Sequence, residues 1–446
     1  MRMSALKYTV LSWVSLLTML IFFLVPFQGF LTVWGSSLIG HYTALRLWEE
    51  VILLICVLGV FYLLFTDHKI RFNTLSRRLV RVILIYIALN VAWGIIAYKG
   101  HDVTAKALGY GLIVNLRYLI FFLVTWSVAL RLGRLRSHWQ WLVIYPSIVV
   151  VVFGLLQIFI LPHDFLKHFG YGPNTIPIIE TINSNSHYIR IASTLRGANP
   201  LGAYLIIPIS LLSVLLLRPA KRNWKQIALL AGSLIVLFYT FSRSAWIGAV
   251  LSIGVVILTS KLTKKSQQVG LVIIAALVLI GVIIGIVFHN SSRFQNFVFH
   301  TQTHSAVKST SNGNHVSALK SGVNDIVHSP LGKGPGTAGP ASVYNNNNPR
   351  IAENYFVQIG QEVGWLGLVL FVLINVGVGY LLWLRRDDPL AISLLASLIG
   401  LTFVNLLSHA WADDSLAFIW WGLAGLSMAP DKKVVASAEN EGAKKE

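Results

Sequence analysis

Long runs of apolar residues without a charged side chain recur along this chain, and they constrain its fold more than any other feature. Residues 139–161 and 270–288 are two examples. A helix needs about 20 apolar residues to cross the hydrocarbon layer of a membrane, so each run is long enough for one span. Charged residues make up only 12% of the sequence, about half the share that is usual in soluble domains. The sequence therefore predicts an all-α, polytopic membrane protein.

The apolar runs predict about twelve transmembrane helices. They lie near residues 8–26, 47–65, 80–98, 112–130, 139–161, 198–217, 226–242, 244–260, 269–288, 355–384, 389–409 and 415–429. The run 355–384 is long for one span, which indicates either a tilted helix or a helix that begins outside the membrane.

Two segments between the predicted spans are long and polar. One is a large extracytoplasmic loop at 289–354, and the other is a smaller one at 162–197. Long segments of this kind are usually functional or disordered. We favour a functional loop, because residues 316–327 have the pattern of an amphipathic helix and a Gly/Pro turn follows at 331–337.

These features divide the chain into three parts. Residues 1–190 hold the first five spans and the smaller outside loop. Residues 191–429 form a second transmembrane unit that includes the large outside loop. Residues 430–446 are a polar tail that we expect to be disordered and cytoplasmic.

Basic residues predict the orientation of the chain in the membrane. The net charge of +19 would indicate a nucleic-acid ligand in a soluble protein, but the inside loops of membrane proteins are rich in Lys and Arg. If the N-terminus is inside, 23 of the 36 Lys and Arg residues fall in short inside segments. We therefore predict a multi-pass protein of the cytoplasmic membrane with both termini cytoplasmic, and no nucleic-acid partner.

Three arginines lie in or beside the predicted outside loops: Arg190, Arg196 and Arg243. A guanidinium group binds phosphate oxygens through paired, charge-assisted hydrogen bonds. Three such groups at the membrane surface suit a ligand with a diphosphate head and a lipid tail. The alternative for each one is a snorkelling side chain or a surface ion pair.

Two ionisable residues fall inside predicted spans, Arg117 and Glu362. Charges at that depth cost several kcal/mol unless they are paired or hydrated, so both are candidates for a substrate-binding site. The alternative is a buried structural pair. Glu49 and Glu50 start the second predicted span and are suitable partners for such arginines.

The end of the large loop carries the candidate catalytic residues. Glu353 and Asn354 stand where the loop enters the span 355–384. Glu353 suits a general base or a group that orients an acceptor hydroxyl, although the helix dipole also favours a carboxylate at that position. His315 begins the amphipathic piece and is a further candidate. Histidines 289, 300, 304, 315 and 328 fit no standard zinc spacing, so we predict no metal site and no cofactor.

Four sequence blocks resemble the O-antigen polymerase and O-antigen ligase superfamily. They are STLRGANPLGAYL at 193–205, FSRSAWIGA at 241–249, IVHSPLGKGPGT at 326–337 and AENYFVQIGQEVGWLGL at 352–368. The second is similar to the most recognisable motif of the family, and the third to its Gly/Pro turn. Ligases of this superfamily carry a histidine in the fourth block, where this chain has Glu353. The chain is in this respect more similar to exopolysaccharide and capsule polymerases.

The resemblance implies a membrane glycosyltransferase of cell-envelope and exopolysaccharide biosynthesis. Its substrate would be an undecaprenyl-diphosphate-linked oligosaccharide in the lipid bilayer, and a chain-length regulator protein is a candidate partner. The arginines would stabilise the departing diphosphate, and a base would deprotonate a sugar hydroxyl. Two alternatives remain open: an O-antigen-type ligase that transfers glycan to lipid or protein, and a lipid-linked oligosaccharide flippase.

Overall fold

The computed structural model describes residues 4–129, 139–182, 185–217, 223–260, 262–288, 291, 311–346 and 349–429. The helices of the first half are α1 (Ala5–Leu24), α2 (Gln28–Ile39), α3 (Tyr42–Leu45), α4 (Trp48–Thr66), α5 (His68–Leu75), α6 (Arg78–Lys99), α7 (Ala105–Ala129) and α8 (Trp139–Phe159). A short antiparallel hairpin follows, made of β1 (Glu180–Ile182) and β2 (Asn185–Arg190).

The second half is also helical. Its helices are α9 (Ala198–Leu217), α10 (Trp224–Tyr239), α11 (Arg243–Thr259), α12 (Lys264–Val287), α13 (Ser311–His328), α14 (Tyr355–Leu384), α15 (Pro389–Asn405) and α16 (Asp414–Met428). Short 3₁₀ turns occur at Val25–Phe27, Phe165–Phe169, Gly339–Tyr344 and Ala410–Ala412.

The predicted all-α, polytopic membrane fold is confirmed. Among the described residues, eight helical segments are long and apolar enough to cross a membrane, and three shorter apolar helices correspond to the predicted spans near 226–242, 244–260 and 389–409. The first predicted span, 8–26, is longer in the structure. The apolar helical segment continues from Ala5 to Ile39, with a 3₁₀ turn that contains Pro26 between α1 and α2.

The core of the bundle consists of helices that are buried on most sides, α7, α9, α15 and α16. Small residues let these helices approach closely, which is how helices associate in lipid. At the contact of α11 with α15, a Cβ on Gly400 would overlap the carbonyl oxygen of Gly248. One turn away, the Ser252 hydroxyl donates to the Ala396 carbonyl at 3.0 Å. By contrast, α12 buries no residue in its most apolar stretch.

The polar segments gather at one end of the bundle, which we call the loop end. There the Thr104 hydroxyl donates to the Tyr344 carbonyl at 2.9 Å, and the Asn354 amide donates to the Leu406 carbonyl at 2.9 Å. Arg196 lies 3.6 Å from Asp414, at the start of α16. The two predicted outside loops therefore meet at the same end of the molecule. The tail at 430–446 lies outside the described residues.

The long segment 355–384 is broken near its beginning. Gly364 has φ 68° and ψ −168°, which no helix contains. The segment therefore starts as a short buried helix, Tyr355 to Val363, and continues after Gly364 as the longer helix. Of the two interpretations drawn from the sequence, a helix that begins before the main span fits this break.

Candidate functional site

A buried network of charges lies at the loop end, between α4, α7 and α16. Arg117 donates to Glu50 at 2.7 Å and also forms an ion pair with Asp414. A third bond, from Arg117 to the Ala412 carbonyl, measures 2.8 Å. Only 5% of the Arg117 side chain is exposed. The expected pairing of a buried arginine with Glu50 is present, and this geometry favours the structural interpretation of Arg117.

Arg196 extends the same network towards the surface. Its guanidinium group lies 3.6 Å from the second carboxylate oxygen of Asp414, and 35% of its side chain is exposed. Burial alone would lower the pKa of Arg196, but the carboxylates of Asp414 and Asp413 raise it above its ordinary value. Arg196 is thus held by Asp414 as a cation, and about a third of its side chain remains exposed.

Arg190 and Arg243 lie close enough to repel one another. Arg190, at the end of β2, donates to the Thr240 carbonyl at 2.8 Å and to Asn199 at 2.6 Å, and it lies 3.9 Å from Glu180. Burial lowers the pKa of Arg190, Glu180 opposes this effect, and the positive charge of Arg243 adds to it. Arg243 is the first residue of α11. The proximity of these two cations favours an anionic ligand.

A small cavity connects two of these arginines. Arg190 and Arg196 both line it, together with Gln157, His163 and Glu180, and its volume is about 30 Å³. That space is enough for about one or two water molecules. A diphosphate does not fit inside, so it would have to contact the arginines from their exposed sides.

Glu353 and Asn354 begin α14 at the loop end. Asn354 caps the helix by accepting from the Val357 amide at 3.0 Å. Its side-chain amide donates to the Leu406 carbonyl, so Asn354 connects the start of α14 to the segment that follows α15. Glu353 is half-buried and has φ 52°. A left-handed backbone costs energy for any residue with a Cβ and occurs frequently at functional sites.

Glu362 is fully buried and holds the Gly/Pro turn. Its carboxylate accepts from the Gly336 amide at 2.7 Å and from the Asn115 side chain at 2.6 Å. Its carbonyl oxygen accepts from the Gly334 amide at 2.8 Å. A Cβ on Gly336 would overlap the Ala107 carbonyl, so the turn packs directly on α7. Here too the geometry favours the structural interpretation, because the donors to this carboxylate come from the protein itself.

A second clamp fixes the amphipathic helix of the large loop. Asp325 on α13 accepts from Arg350 at 3.1 Å and from Gln361 at 2.7 Å. Burial would raise the pKa of Asp325, but these hydrogen bonds and the charge of Arg350 hold it below its ordinary value. The predicted helix at 316–327 is therefore present and attached to α14. His315 lies in α13 and is described by its backbone alone; residues 289, 300 and 304 fall outside the described part.

Left-handed residues mark three of the four sequence blocks. Ser193, Phe241 and Glu353 all have φ between 51° and 53°. Ser193 lies three residues before Arg196, Phe241 lies two residues before Arg243, and Glu353 directly precedes Asn354. The third block uses glycines with positive φ instead. The blocks thus form sharp turns at the loop end, and no sequence pattern of apolar spacing indicates turns of this kind.

Sequence reasoning missed two residues near this site. Arg46 donates to the Tyr110 hydroxyl at 2.6 Å and lies over its ring. His409 lies in the loop between α15 and α16, and burial lowers its pKa to about 4. Arg46 and His409 are ordinary loop residues in the sequence, and only the packing of distant helices brings them to the loop end.

Comparison with known proteins identifies the central part of the chain. Residues 227–372 match the family model described as O-antigen ligase. The match covers the blocks at 241–249 and 326–337 and the one at 352–368, including Glu353 and Glu362. No curated protein matches the chain. The expected resemblance is confirmed for this region, and enzymes with this domain are membrane glycosyltransferases that act as ligases or polymerases.

Proposed function

We propose, from the premise that residues 227–372 carry the domain of the O-antigen ligase and polymerase superfamily, that this protein is a polysaccharide polymerase. It joins undecaprenyl-diphosphate-linked repeat units on the outer face of the cytoplasmic membrane. An acceptor hydroxyl attacks the anomeric carbon of the donor glycan and forms the new glycosidic bond. The bond from that carbon to the diphosphate breaks, and its electron pair leaves with undecaprenyl diphosphate.

One observation carries this proposal: Arg196 is fixed by Asp414 on one side and remains 35% exposed on the other. A cation held in position before the ligand arrives stabilises the developing charge of the leaving group without reorganising. Arg190 and Arg243 are the second and third members of the diphosphate site. Their mutual repulsion is relieved when a diphosphate binds, which adds to the affinity of the site for an anion.

Glu353 is the proposed base or acceptor-orienting residue. It is half-buried at the start of α14, and its left-handed backbone is fixed because Asn354 is held at both ends of its side chain. The carboxylate takes the proton of the acceptor hydroxyl as the glycosidic bond forms. His315 is the base to examine if Glu353 does not have this role.

The decisive experiment is Glu353→Gln, which keeps the shape of the side chain and removes its charge. We expect folded protein that still binds the lipid-linked donor but makes single repeat units in place of long polymer, as read from gels of the glycan product. Lys333, on the Gly/Pro turn, offers a control: Lys333→Gln also removes one charge from the loop end, and it should leave chain length unchanged. Normal polymer from Glu353→Gln would remove this residue from the mechanism.

The diphosphate site is tested by Arg196→Ala and by Arg243→Lys. A charge-assisted hydrogen bond contributes roughly 1.5–3 kcal/mol, so each change should reduce the rate about 10- to 100-fold. Arg243→Lys keeps the charge but loses the planar fork, and it should still impair activity. Wild-type rates in both variants would show that the diphosphate binds elsewhere.

Orientation is tested separately, because the donor lipid is used on the outer leaflet. Reporter fusions in the segments 131–138 and 218–225 should report a cytoplasmic position, and fusions in 289–354 an outside position. A cytoplasmic large loop would contradict the mechanism.

A ligase is the second candidate, since the matching family model carries that description. The two activities differ in their acceptor. A purified polymerase extends one lipid-linked repeat with another, whereas a ligase produces no longer glycan until a lipid or protein acceptor is added. Nothing in the family match favours the flippase alternative.

A further inference from the structure

A long apolar groove lies on the side of the bundle formed by α4, α6 and α7. Its volume is about 740 Å³. Its walls are almost entirely aliphatic and aromatic; they include Leu53, Val57, Phe61 and Phe65 from α4, and Ile120 and Val124 from α7. Arg190, Arg196 and Arg243 do not line this groove, so it is a feature separate from the diphosphate site proposed above.

The length of the groove distinguishes between lipids. It extends from Glu50 to Phe65 along α4 and from Leu112 to Ser127 along α7. At 1.5 Å per residue, each wall is roughly 22 Å long. Half of the hydrocarbon layer is only about 15 Å thick, so an acyl chain anchored at one surface covers part of the groove. A polyprenyl chain continues past the midplane and fills it.

The two ends of the groove differ in charge. At the loop end, Arg117 and Glu50 line it and neutralise one another at 2.7 Å. Two nearby residues precede the lining residues in the chain: Arg46 lies four residues before Glu50, and Tyr110 lies on α7 three residues before Ile113. Arg46 donates a hydrogen bond to the Tyr110 hydroxyl at 2.6 Å. Arg46 and Arg196 both lie within electrostatic reach of Asp414. Asp414 also pairs with Arg117, so two further guanidinium groups lie near the Arg117–Glu50 end of the groove.

We propose that this groove binds the polyprenyl chain of a polyprenyl-diphosphate-linked glycan, with the diphosphate against Arg46 and Arg196. The assignment rests on the proposed function, because it takes the lipid-linked donor as the substrate. It adds Arg46 to the diphosphate site and gives the lipid tail a defined position. Lipid tails are as apolar as leucine, so the groove contributes little hydrophobic free energy. Its effect is orientation: a chain held along α4 and α7 delivers its head group to the arginines.

The end of the groove opposite the Arg117–Glu50 pair suggests a competing ligand, an anionic phospholipid. Arg71 and Thr74 from α5 line the groove there, and they would attract the head group of an anionic phospholipid of the inner leaflet. The length of the groove and the guanidinium pair at the loop end favour the polyprenyl chain, so the phospholipid becomes an outcome of the test.

The test compares two tryptophan substitutions on neighbouring residues of α4. Val57→Trp fills the groove, because Val57 lines it. Leu58→Trp is the matched control, because Leu58 is 63% exposed and lies outside the groove. Ile120→Trp blocks the groove from α7 and guards against a local folding defect at position 57. Purified proteins are mixed with undecaprenyl diphosphate or with phosphatidylglycerol, and bound lipid is counted by native mass spectrometry.

We expect the wild type and Leu58→Trp to retain undecaprenyl diphosphate, and Val57→Trp and Ile120→Trp to retain about tenfold less. Arg46→Gln should weaken the retention of undecaprenyl diphosphate but not that of undecaprenol, which has no diphosphate. In polymerisation assays, the two groove variants should lose activity towards a long-chain donor and keep it towards a donor with a short prenyl chain.

The outcomes separate this proposal from the proposed function. Equal retention of undecaprenyl diphosphate by the groove variants and Leu58→Trp would overturn the groove assignment, even in an active polymerase. Selective loss of phosphatidylglycerol from the groove variants would overturn it in favour of a phospholipid site. If the wild type binds undecaprenyl diphosphate in the groove but extends no donor, the groove assignment stands and the polymerase proposal fails.

Discussion

Two glutamates of the same sequence block have opposite surroundings. Glu362 is fully buried, and its carboxylate is satisfied by Gly336 and Asn115. Glu353, nine residues earlier, is half-buried and has a left-handed backbone. Glu353 lies just before the short buried helix from Tyr355 to Val363, and Glu362 lies in the last turn of that helix. The end of this helix that carries Glu362 is packed inside the protein, and the other end begins at the partly exposed surface of the loop end.

The difference shows how one residue type serves two roles within one motif. A carboxylate whose oxygens already accept hydrogen bonds from the protein has little capacity left to bind a substrate. Its removal leaves those buried donors without an acceptor, which destabilises the fold. A half-buried carboxylate loses less on removal than a fully buried one, and its exposed part can contact a ligand. The comparison predicts that substitutions of Glu362 and its partners impair folding, whereas substitutions of Glu353 impair activity.

The largest effect is expected for Glu362→Ala. It leaves the Gly336 amide and the Asn115 side chain without their acceptor in a buried site and also opens a cavity, which together cost about 3–5 kcal/mol. Thermal unfolding in detergent should show a large loss of stability or no folded protein. Glu353→Ala, measured in parallel, should unfold close to the wild-type temperature. Similar destabilisation by both changes would remove the distinction between the two carboxylates.

Gly364→Ala should come next. A Cβ at this position would overlap the Pro330 carbonyl, and φ 68° is unfavourable for alanine. We expect a loss of about 1–3 kcal/mol. Gly281→Ala is a suitable control, because a Cβ on this α12 glycine meets no neighbour. Unfolding temperatures of the two variants give the comparison directly, and a harmless Gly364→Ala would mean that the break in α14 is not required.

A smaller effect is expected for Asn354→Ala, which removes the cap of α14 and the bond to Leu406. Loss of a helix cap costs about 1 kcal/mol. Asn354→Asp keeps the acceptor for the Val357 amide but not the donor to Leu406, so it should recover part of the stability. If Asn354→Ala lost as much stability as Glu362→Ala, the start of the short helix would be as important for folding as its end.

The smallest effect concerns pH and His409. Burial lowers the pKa of this imidazole from 6.5 to about 4, so it is neutral in the folded protein at pH 7. The unfolded chain binds the proton first, and stability present above pH 6.5 is lost as the pH falls towards 4. His409→Gln should flatten the pH dependence of the unfolding temperature in this window. An unchanged slope would show that His409 does not cause it.

Much of the fold follows from the sequence, because apolar runs of membrane length leave little choice of structure. The helices, the amphipathic α13 and the pairing of Glu50 with a buried arginine were all predictable. The structural role of Glu362 was not, since its partner Asn115 is 247 residues away and its turn partner is a backbone amide. The positions of Arg46 and His409 near the site could not be predicted for the same reason, because helices far apart in the chain form their surroundings.

The Gly/Pro turn also completes the hydrogen bonding of the broken α14. The Lys333 amide donates to the Gln361 carbonyl at 2.9 Å, and the Trp365 amide donates to the Pro330 carbonyl at 2.9 Å. Each segment thus supplies partners that the other lacks, although some 25 residues of chain separate them. Insertions and deletions within 330–338 or 360–365 would therefore break these hydrogen bonds. Loop length in this part of the molecule can change only where the two segments are not in contact.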